Sequence, residues 1–275
     1  MKPLIYGVVS LLMSMYIFAV FTFFTGYFNS TIDKKLGIDA APVSAEQLKD
    51  TAEVVYRNIN ILSDSLEYNY DGFSNMPYTI KEMSSKLLTS YEKISKEHKF
   101  LHNVTAQIKP IALSKLMSYT HITWIYTFFT GEANIDAEFP DFTLPYTAAH
   151  EFAHQRGVAR ENEANFIAFL VCISSEDEYI QYSGYMNMLQ YLLSALYKAD
   201  KELYSQFYSS ISAKVSAELR AYSSFFDQYR DSSVSKISGA VNDTYLKLQG
   251  TEGSVSYGMV VDLAVAYYRP NERGK

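Results

Sequence analysis

Apolar residues dominate the first part of the chain. Residues 3–32 contain no charged side chain, and residues 4–28 consist mainly of Ile, Leu, Val, Met, Phe and Tyr. A helix of about 20 apolar residues is long enough to cross the hydrocarbon core of a bilayer. A cleaved signal peptide has a shorter apolar core, of about 7–15 residues, with small residues at the cleavage site. Residues 1–32 are therefore predicted to form a retained transmembrane anchor.

After a short linker over residues 33–43, apolar positions recur mostly at the spacing of helices. Ser44 and Gln47 match a capping box, which starts a helix that extends to about Leu66. Residues 122–129 are instead β-branched and aromatic, which is typical of a strand. Residues 132–134 fit a polar hairpin turn or a wall of a cleft. The helical spacing predicts further helices over residues 79–96, 183–197, 201–226 and 255–267.

Together these patterns predict a mainly α (α+β) fold. The N-terminal transmembrane helix is followed by one largely helical, zincin-like domain over residues 44–275, with a small sheet before residue 150. No shift in composition marks a second soluble domain. Hydrophobic residues make up 48% of the chain, which is ample to form a core.

Two histidines one helical turn apart are the strongest chemical signal in the sequence. Residues 150–154 read His-Glu-Phe-Ala-His. On a helix, residues i and i+4 share a face, so the Nε2 atoms of His150 and His154 can bind one Zn²⁺ at about 2.0–2.1 Å. Glu151 directly follows the first histidine and would act as the general base toward the attacking water. The spacing therefore predicts a zinc hydrolase.

A catalytic zinc site requires a third protein ligand, and the chain supplies two candidates. Gly157 is expected to end the first helix, and a second helix begins near Glu161, with Glu163 in the same turn. Glu161 is favoured because Asn165 lies on the same helix face and can support a ligand histidine by a hydrogen bond. Glu163 is the alternative. Position 160 is Arg, so a third histidine of the metzincin pattern is excluded.

The same segment carries a resemblance to a known family. Residues 150–170, HEFAHQRGVARENEANFIAFL, resemble the core of the uncharacterised bacterial membrane family called domain of unknown function 3810. Further stretches that match are FTGEAN at 129–134, YSGY at 182–185, VNDTYLK at 241–247 and SYGMVVDL at 256–263. The resemblance implies a gluzincin-like metallopeptidase site, with Glu161 as the third zinc ligand and Asn165 behind it. Members usually carry more than one N-terminal membrane helix, whereas this chain shows one.

Hydrolysis of a peptide bond develops negative charge on the carbonyl oxygen, and a donor besides zinc is expected to stabilise it. The sequence offers Tyr257, Tyr185, His121 and Arg160 for this role. Of these four residues, Tyr257 is the one that we predict to be catalytic.

Composition limits the partners. The formal net charge is −6 and no clustered basic face is present, which excludes nucleic acid. The single cysteine, Cys172, excludes an intramolecular disulfide.

The sequence thus predicts a zinc metallopeptidase that acts on a peptide or protein substrate. Its anchor would hold it in the bacterial cell membrane by a single pass, with the catalytic domain outside the cytoplasm. One alternative is a membrane-bound, non-catalytic scaffold or sensor, although a structural zinc site usually has four Cys or His ligands. Another is a zinc amidase that acts on cell-envelope material with the same metal and base.

Overall fold

Helices make up most of the chain, which the computed structural model describes at residues 2–22, 24–112, 114, 118–119, 124–127, 130–227 and 259–269. The prediction of a mainly α fold with a small sheet is confirmed. The helices with defined bounds are α1 (Lys2–Thr22), α2 (Ile32–Leu36), α3 (Ala45–Ser63), α4 (Ile80–Glu97), α5 (Leu144–Gln155), α6 (Glu161–Ile173), α7 (Glu178–Ala199), α8 (Lys201–Ser209), α9 (Ala213–Asp227) and α10 (Met259–Tyr268). Short 3-10 helices cover Phe24–Phe28 and Asp141–Thr143, and the strands are β1 (Lys109–Pro110), β2 (Trp124–Thr127) and β3 (Glu132–Ile135).

Helix α1 projects apolar side chains into solvent along its length. Leu4, Leu11 and Tyr16 are 73%, 61% and 66% exposed. Within the described ranges, no helix combines the length and the apolar character that crossing a membrane requires. The transmembrane part of the predicted anchor is therefore not supported by the fold. The predicted linker over residues 33–43 begins inside helix α2, whose first residue, Ile32, is buried in the core.

Both predicted amphipathic helices after the linker are confirmed, and a capping box starts each of them. The Ser44 hydroxyl accepts the N–H of Gln47 at 3.3 Å, and the Gln47 side chain accepts the N–H of Ser44 at 3.0 Å. Thr79 and Glu82 repeat the arrangement at the start of α4. These pairs satisfy amide donors that the first turn of a helix leaves without partners.

Three short strands form a mixed sheet in the order β1-β3-β2. Strand β3 pairs antiparallel with β2, which places Trp124 opposite Ile135, and parallel with β1. Residues 132–134, for which the sequence favoured a turn or a cleft wall, lie in the central strand. Ala133 and Ile135 on one face of β3 are fully buried, because this strand packs against helix α5.

Helix α7 forms the centre of the domain and packs against α3, α5 and α6. A Cβ atom at Gly184 would lie 2.5 Å from the Cβ of Cys172, so only glycine permits this approach of α7 to α6. The side chains of α7 that are fully buried include Met186, Leu189, Leu192 and Leu196.

The single helix predicted over residues 201–226 is two helices, α8 and α9. The hydroxyl of Tyr56 on α3 donates to the carbonyl oxygen of Ser210 at 3.2 Å and accepts the N–H of Ser212 at 2.7 Å. The two main-chain groups are thereby held outside a continuous helix. A side chain distant in sequence thus contributes to the interruption between α8 and α9. The local spacing of apolar residues did not indicate this interruption.

Glu218 on α9 gives the fold a testable pH dependence. Its side chain is almost fully buried, and burial raises the pKa of this carboxyl from 4.5 to about 7, against the effect of its hydrogen bonds with Ser74. Between pH 4.5 and about 7, Glu218 therefore keeps its proton in the folded chain and loses it in the unfolded chain. This group makes stability fall as pH rises from about 4.5 to about 7.

We expect Glu218→Gln to remove this penalty, because an amide oxygen can still accept the N–H of Ser74 without carrying charge. The free energy of unfolding should increase by roughly 1–3 kcal/mol at pH 8 and by much less at pH 5. Unfolding in denaturant at both pH values, with the full chain in detergent, measures the difference. The wild type and the variant share all other titrating groups, so the contributions of those groups to the pH dependence cancel in the comparison. Equal changes at the two pH values would contradict the prediction.

Candidate metal site

Helix α5 carries both histidines of the motif on a buried face. His150 and His154 are 2% and 5% exposed, and Glu151 is fully buried. Gly157 ends the helix as predicted, with a left-handed φ of 83° that few other residues adopt. Its N–H donates to the carbonyl oxygen of His154 at 3.0 Å, which turns the chain toward α6.

Three candidate ligand atoms converge at the start of α6. The Nε2 atoms of His150 and His154 are 3.0 Å apart. The Glu161 carboxylate lies against both rings, 3.2 Å from the Nε2 of His150 and 3.6 Å from that of His154. Ligands at about 2.0–2.1 Å in a tetrahedron around zinc are about 3.3 Å apart. The two contacts of Glu161 are made by different oxygens, Oε2 and Oε1, and the separations are compatible with donors that share one metal ion.

Glu151 belongs to the same cluster but is positioned differently. Its nearer carboxylate oxygen is 3.8 Å from the Nε2 of His150, and His150, Glu151 and His154 form a buried group that could hold a metal ion. Neither oxygen of Glu151 has a hydrogen-bond partner among the described residues. Glu161 lies closer to His150 than Glu151 does, and it also contacts His154.

Glu163, the alternative ligand, lies on another side of the helix. Its Oε1 atom accepts the N–H of Ile32 at 3.1 Å and a guanidinium N–H of Arg160 at 3.2 Å. Glu161 and Glu163 are two residues apart, and a helix rotates by about 200° over that interval. The structure thus brings Glu161 to the histidines and directs Glu163 to the chain that follows α1.

Further contacts orient the two rings. The Nδ1–H of His154 donates to the carbonyl oxygen of Val158 at 2.7 Å, which orients the ring with Nε2 toward His150 and Glu161. Asn165 is buried beside His150, and its main-chain carbonyl accepts the hydroxyl of Tyr146 at 2.9 Å. Burial lowers the pKa of His150, while hydrogen bonds with Glu161 and Asn165 oppose that shift. His150 and Asn165 line the same cavity, and the support of a ligand histidine by Asn165 stays a prediction.

The two carboxylates of the site are shifted in opposite directions. Burial raises the pKa of Glu151 to about 8, and the charge on Glu161 adds to this shift. Burial would raise the pKa of Glu161 as well, but the charge on His154 and hydrogen bonds with both histidines hold it well below its usual range. The charge on Glu161 and hydrogen bonds with Glu161 and the main chain of Val158 raise the pKa of His154 to about 9 despite its burial. A metal ion that binds here competes with a proton on His154.

A small cavity of about 40 Å³ lies beside His150. It is lined by neutral groups that can form hydrogen bonds, and the sequence did not identify most of them. Thr143, Thr147 and His150 are spaced by four and three residues, which places them on one helical face. This spacing was the feature of the sequence that could have indicated the cavity. The other polar lining residues include Asn187, Tyr191 and Tyr222.

The remaining predicted donors are not brought to this cavity within the described ranges. Tyr257 and His121 lie outside those ranges. The ring of Tyr185 packs against Phe169, with centroids 5.9 Å apart. The guanidinium of Arg160 donates to the main-chain carbonyls of Tyr27 and Asn29.

One comparison with known proteins gives a match. Residues 1–265 match the model of the family described as "Protein of unknown function (DUF3810)". No curated protein and no solved structure matches the chain.

The geometry predicts unequal effects of removing the two glutamates at the start of α6. Glu161→Ala should lower zinc affinity by more than about 100-fold, because it removes a group that contacts both histidines, and Glu163→Ala by no more than about 10-fold. Competition with a chelator on the purified full chain measures both. His150→Ala and His154→Ala should lose zinc as Glu161→Ala does. Release of zinc by Glu163→Ala alone would mean that the ligand assignment is wrong.

Proposed function

The chain belongs to the DUF3810 family, and from its own site we propose that it is a membrane-anchored zinc metallopeptidase. The observation that carries the proposal is that His150, His154 and Glu161 lie within 3.0 to 3.6 Å of one another, beside the Glu151 carboxylate, which has no hydrogen-bond partner among the described residues. Two nitrogens and one carboxylate are a donor set that zinc uses in hydrolases. When bound, zinc supplies a Lewis acid that polarises the scissile carbonyl and makes water more acidic.

Glu151 is the general base in this proposal. It takes a proton from the attacking water and delivers it to the nitrogen of the leaving amine, after which the carboxylate is restored. Burial raises the pKa of Glu151 to about 8 when no metal ion is bound, and the positive charge of a zinc ion beside it would favour the carboxylate form that a general base requires. No described residue forms a hydrogen bond with its oxygens, which leaves them available for this exchange.

The substrate is proposed to be a peptide or protein. Apart from His150, which can be protonated, no side chain that lines the cavity carries a charge. The cavity therefore suits a peptide group or a small uncharged side chain. Strand β2 is at the edge of the sheet next to α5, a position where an extended peptide can add a strand. Tyr257 remains our proposed donor to the oxyanion. The proposed domain is gluzincin-like, with a small sheet before the helix that carries both histidines.

The neutral cavity also suits an amide within cell-envelope material, so a zinc amidase is the second candidate. It would use the same ligands and the same base. A non-catalytic scaffold is less well supported, because a structural zinc site usually has four Cys or His ligands and the cluster offers two histidines. Assays on peptide and peptidoglycan substrates distinguish the two hydrolases.

Glu151→Gln tests the role of the base. We expect the variant to keep zinc and its fold but to lose at least about 100-fold in hydrolysis, because the amide cannot accept a proton. Hydrolysis of a casein or peptide-library substrate and zinc content are measured on the same preparation. Glu178→Gln, which changes an exposed glutamate in the first turn of α7, is the matched control. Loss of zinc from Glu151→Gln would show that this residue is a ligand instead.

We further propose that α1 anchors the protein in a bacterial cell membrane, with the catalytic domain outside the cytoplasm. The proposal is supported by the exposed apolar surface of the helix and by the absence of charged residues from 3 to 32. At about 1.5 Å per residue its 21 residues extend over roughly 30 Å. Apolar side chains exposed over this length are more stable in lipid than in water.

Membrane fractionation with a tag at each end of the chain tests the anchor. The protein should stay in the membrane fraction after alkaline carbonate extraction and keep both tags, because the apolar segment lacks a cleavage site. Leu12→Arg should weaken attachment, since an arginine at the centre of a membrane helix costs about 2.5–3.5 kcal/mol. A soluble product without the amino-terminal tag would show that the segment is a cleaved leader.

A further inference from the structure

The chain that follows α1 packs closely on the turn between the two helices of the metal site. We call residues 26–32 the joining stretch. A Cβ atom at Gly26 would lie 2.8 Å from the Cβ of Ala159 and 3.3 Å from the carbonyl oxygen of Gly157. Only glycine therefore fits without displacing that turn. At the other end of the stretch, Ile32 is 1% exposed and belongs to the core.

Arg160 binds the joining stretch through its guanidinium. One terminal nitrogen donates to the carbonyl oxygen of Tyr27, and the other donates to that of Asn29 at 3.2 Å. The latter nitrogen also donates to the carboxylate of Glu163 at 3.2 Å. Because a guanidinium presents its donors in a fixed planar fork, these bonds set the direction as well as the distance of the stretch.

Glu163 closes the arrangement from the other side. Its side chain is 6% exposed, and the oxygen that binds Arg160 also accepts the N–H of Ile32 at 3.1 Å. Arg160 precedes Glu161 by one residue and Glu163 follows it by two. The bonds of the joining stretch are therefore made on both sides of the proposed third ligand, within the first turn of α6.

We propose that Arg160 and Glu163 are positioning residues of the metal site, which clamp the joining stretch to the first turn of α6 and thereby hold Glu161 within reach of both histidines. The inference rests on the metal site of the proposed function. It makes the chain that leaves the anchor a part of that site. A rotation of this turn would move the carboxylate away from His150 and His154. Each ligand of a tetrahedral ion must lie within a few tenths of an ångström of its place, so such a movement would weaken zinc binding.

Zinc affinity of the full chain in detergent micelles, measured by competition with a chelator, tests the clamp. Arg160→Met should weaken zinc binding by about 10-fold, the loss expected when a group that orients a ligand is removed. The absorption spectrum of the Co²⁺-substituted protein should also change, because ligand geometry determines the visible bands. Arg57→Met, on the exposed face of α3, is the matched control.

Glu163 offers a conservative variant that separates a positioning role from general destabilisation. Glu163→Gln retains an oxygen that can accept the N–H of Ile32 and the guanidinium of Arg160, so it should bind zinc nearly as the wild type does. Glu163→Leu removes the acceptor and should resemble Arg160→Met. Glu178→Leu serves as the control for the loss of a carboxylate from a first turn.

Wild-type zinc affinity and an unchanged Co²⁺ spectrum in both Arg160→Met and Glu163→Leu would overturn the proposal. So would a loss of affinity that follows the unfolding temperature of the zinc-free chain across all variants, since the cause would then be general destabilisation. A wild-type chain that binds no zinc would refute the proposed function and the clamp together. The clamp alone is wrong if the wild type binds zinc and the clamp variants bind it equally well.

Discussion

The burial of ionisable side chains where α5 meets α6 is the constraint on which this structure depends. Two histidines and two glutamates lie close together with little contact with water. A buried charge is stable only when an opposite charge, hydrogen bonds or a metal ion compensates it. Without a metal ion, His154 and Glu161 compensate each other as an ion pair, while burial raises the pKa of Glu151 and so favours its uncharged form. The helices must therefore be held in one relative position.

Helix α5 is held in that position by groups outside the motif. The hydroxyl of Tyr91 on α4 donates to the carbonyl oxygen of Ala149, next to the first histidine. Arg156, which is almost fully buried after the last turn, donates to the carbonyl oxygens of Phe152 and Val104. A cation at a helix C-terminus also interacts favourably with the helix dipole. These bonds fix the rotation of α5, and with it the direction in which both imidazoles point.

The sequence predicted the parts of this arrangement that depend on local spacing. Capping boxes, apolar periodicity and the His-Glu-Phe-Ala-His spacing each reflect contacts within about four residues, and the helices α3, α4 and α5 follow from them. The choice of Glu161 over Glu163 as the third ligand also came from helical spacing. Glu161 lies against His150 and Glu163 binds the N–H of Ile32, while the ligand itself stays a prediction. The anchor was predicted from the length of the uncharged apolar segment and from its lack of signal-peptide features.

Contacts between distant residues were beyond such reasoning. The hydroxyl of Tyr56 breaks the helix predicted after residue 200, and the carboxylate of Glu163 binds the N–H of Ile32, 131 residues away. Residues 132–134 are polar enough for a turn, yet pairing on both sides makes them the central strand. In each case a partner distant along the chain outweighs the local preference, which is the general limit of reading elements from one sequence.

The opposite pKa shifts of the two buried glutamates connect this packing to the proposed chemistry. Glu161 faces two histidines and is held as an anion, which is the form that binds a metal ion. Glu151 is one residue from His150, but its oxygens have no hydrogen-bond partner in the part of the chain that the structure describes, and burial raises its pKa to about 8. Neighbouring acidic groups whose pKa values differ widely can serve different roles in one site. The two pKa values differ because the relative position of α5 and α6 places Glu161, and not Glu151, against both histidines. The contacts that fix the two helices therefore also determine which carboxylate can bind a metal and which can move a proton.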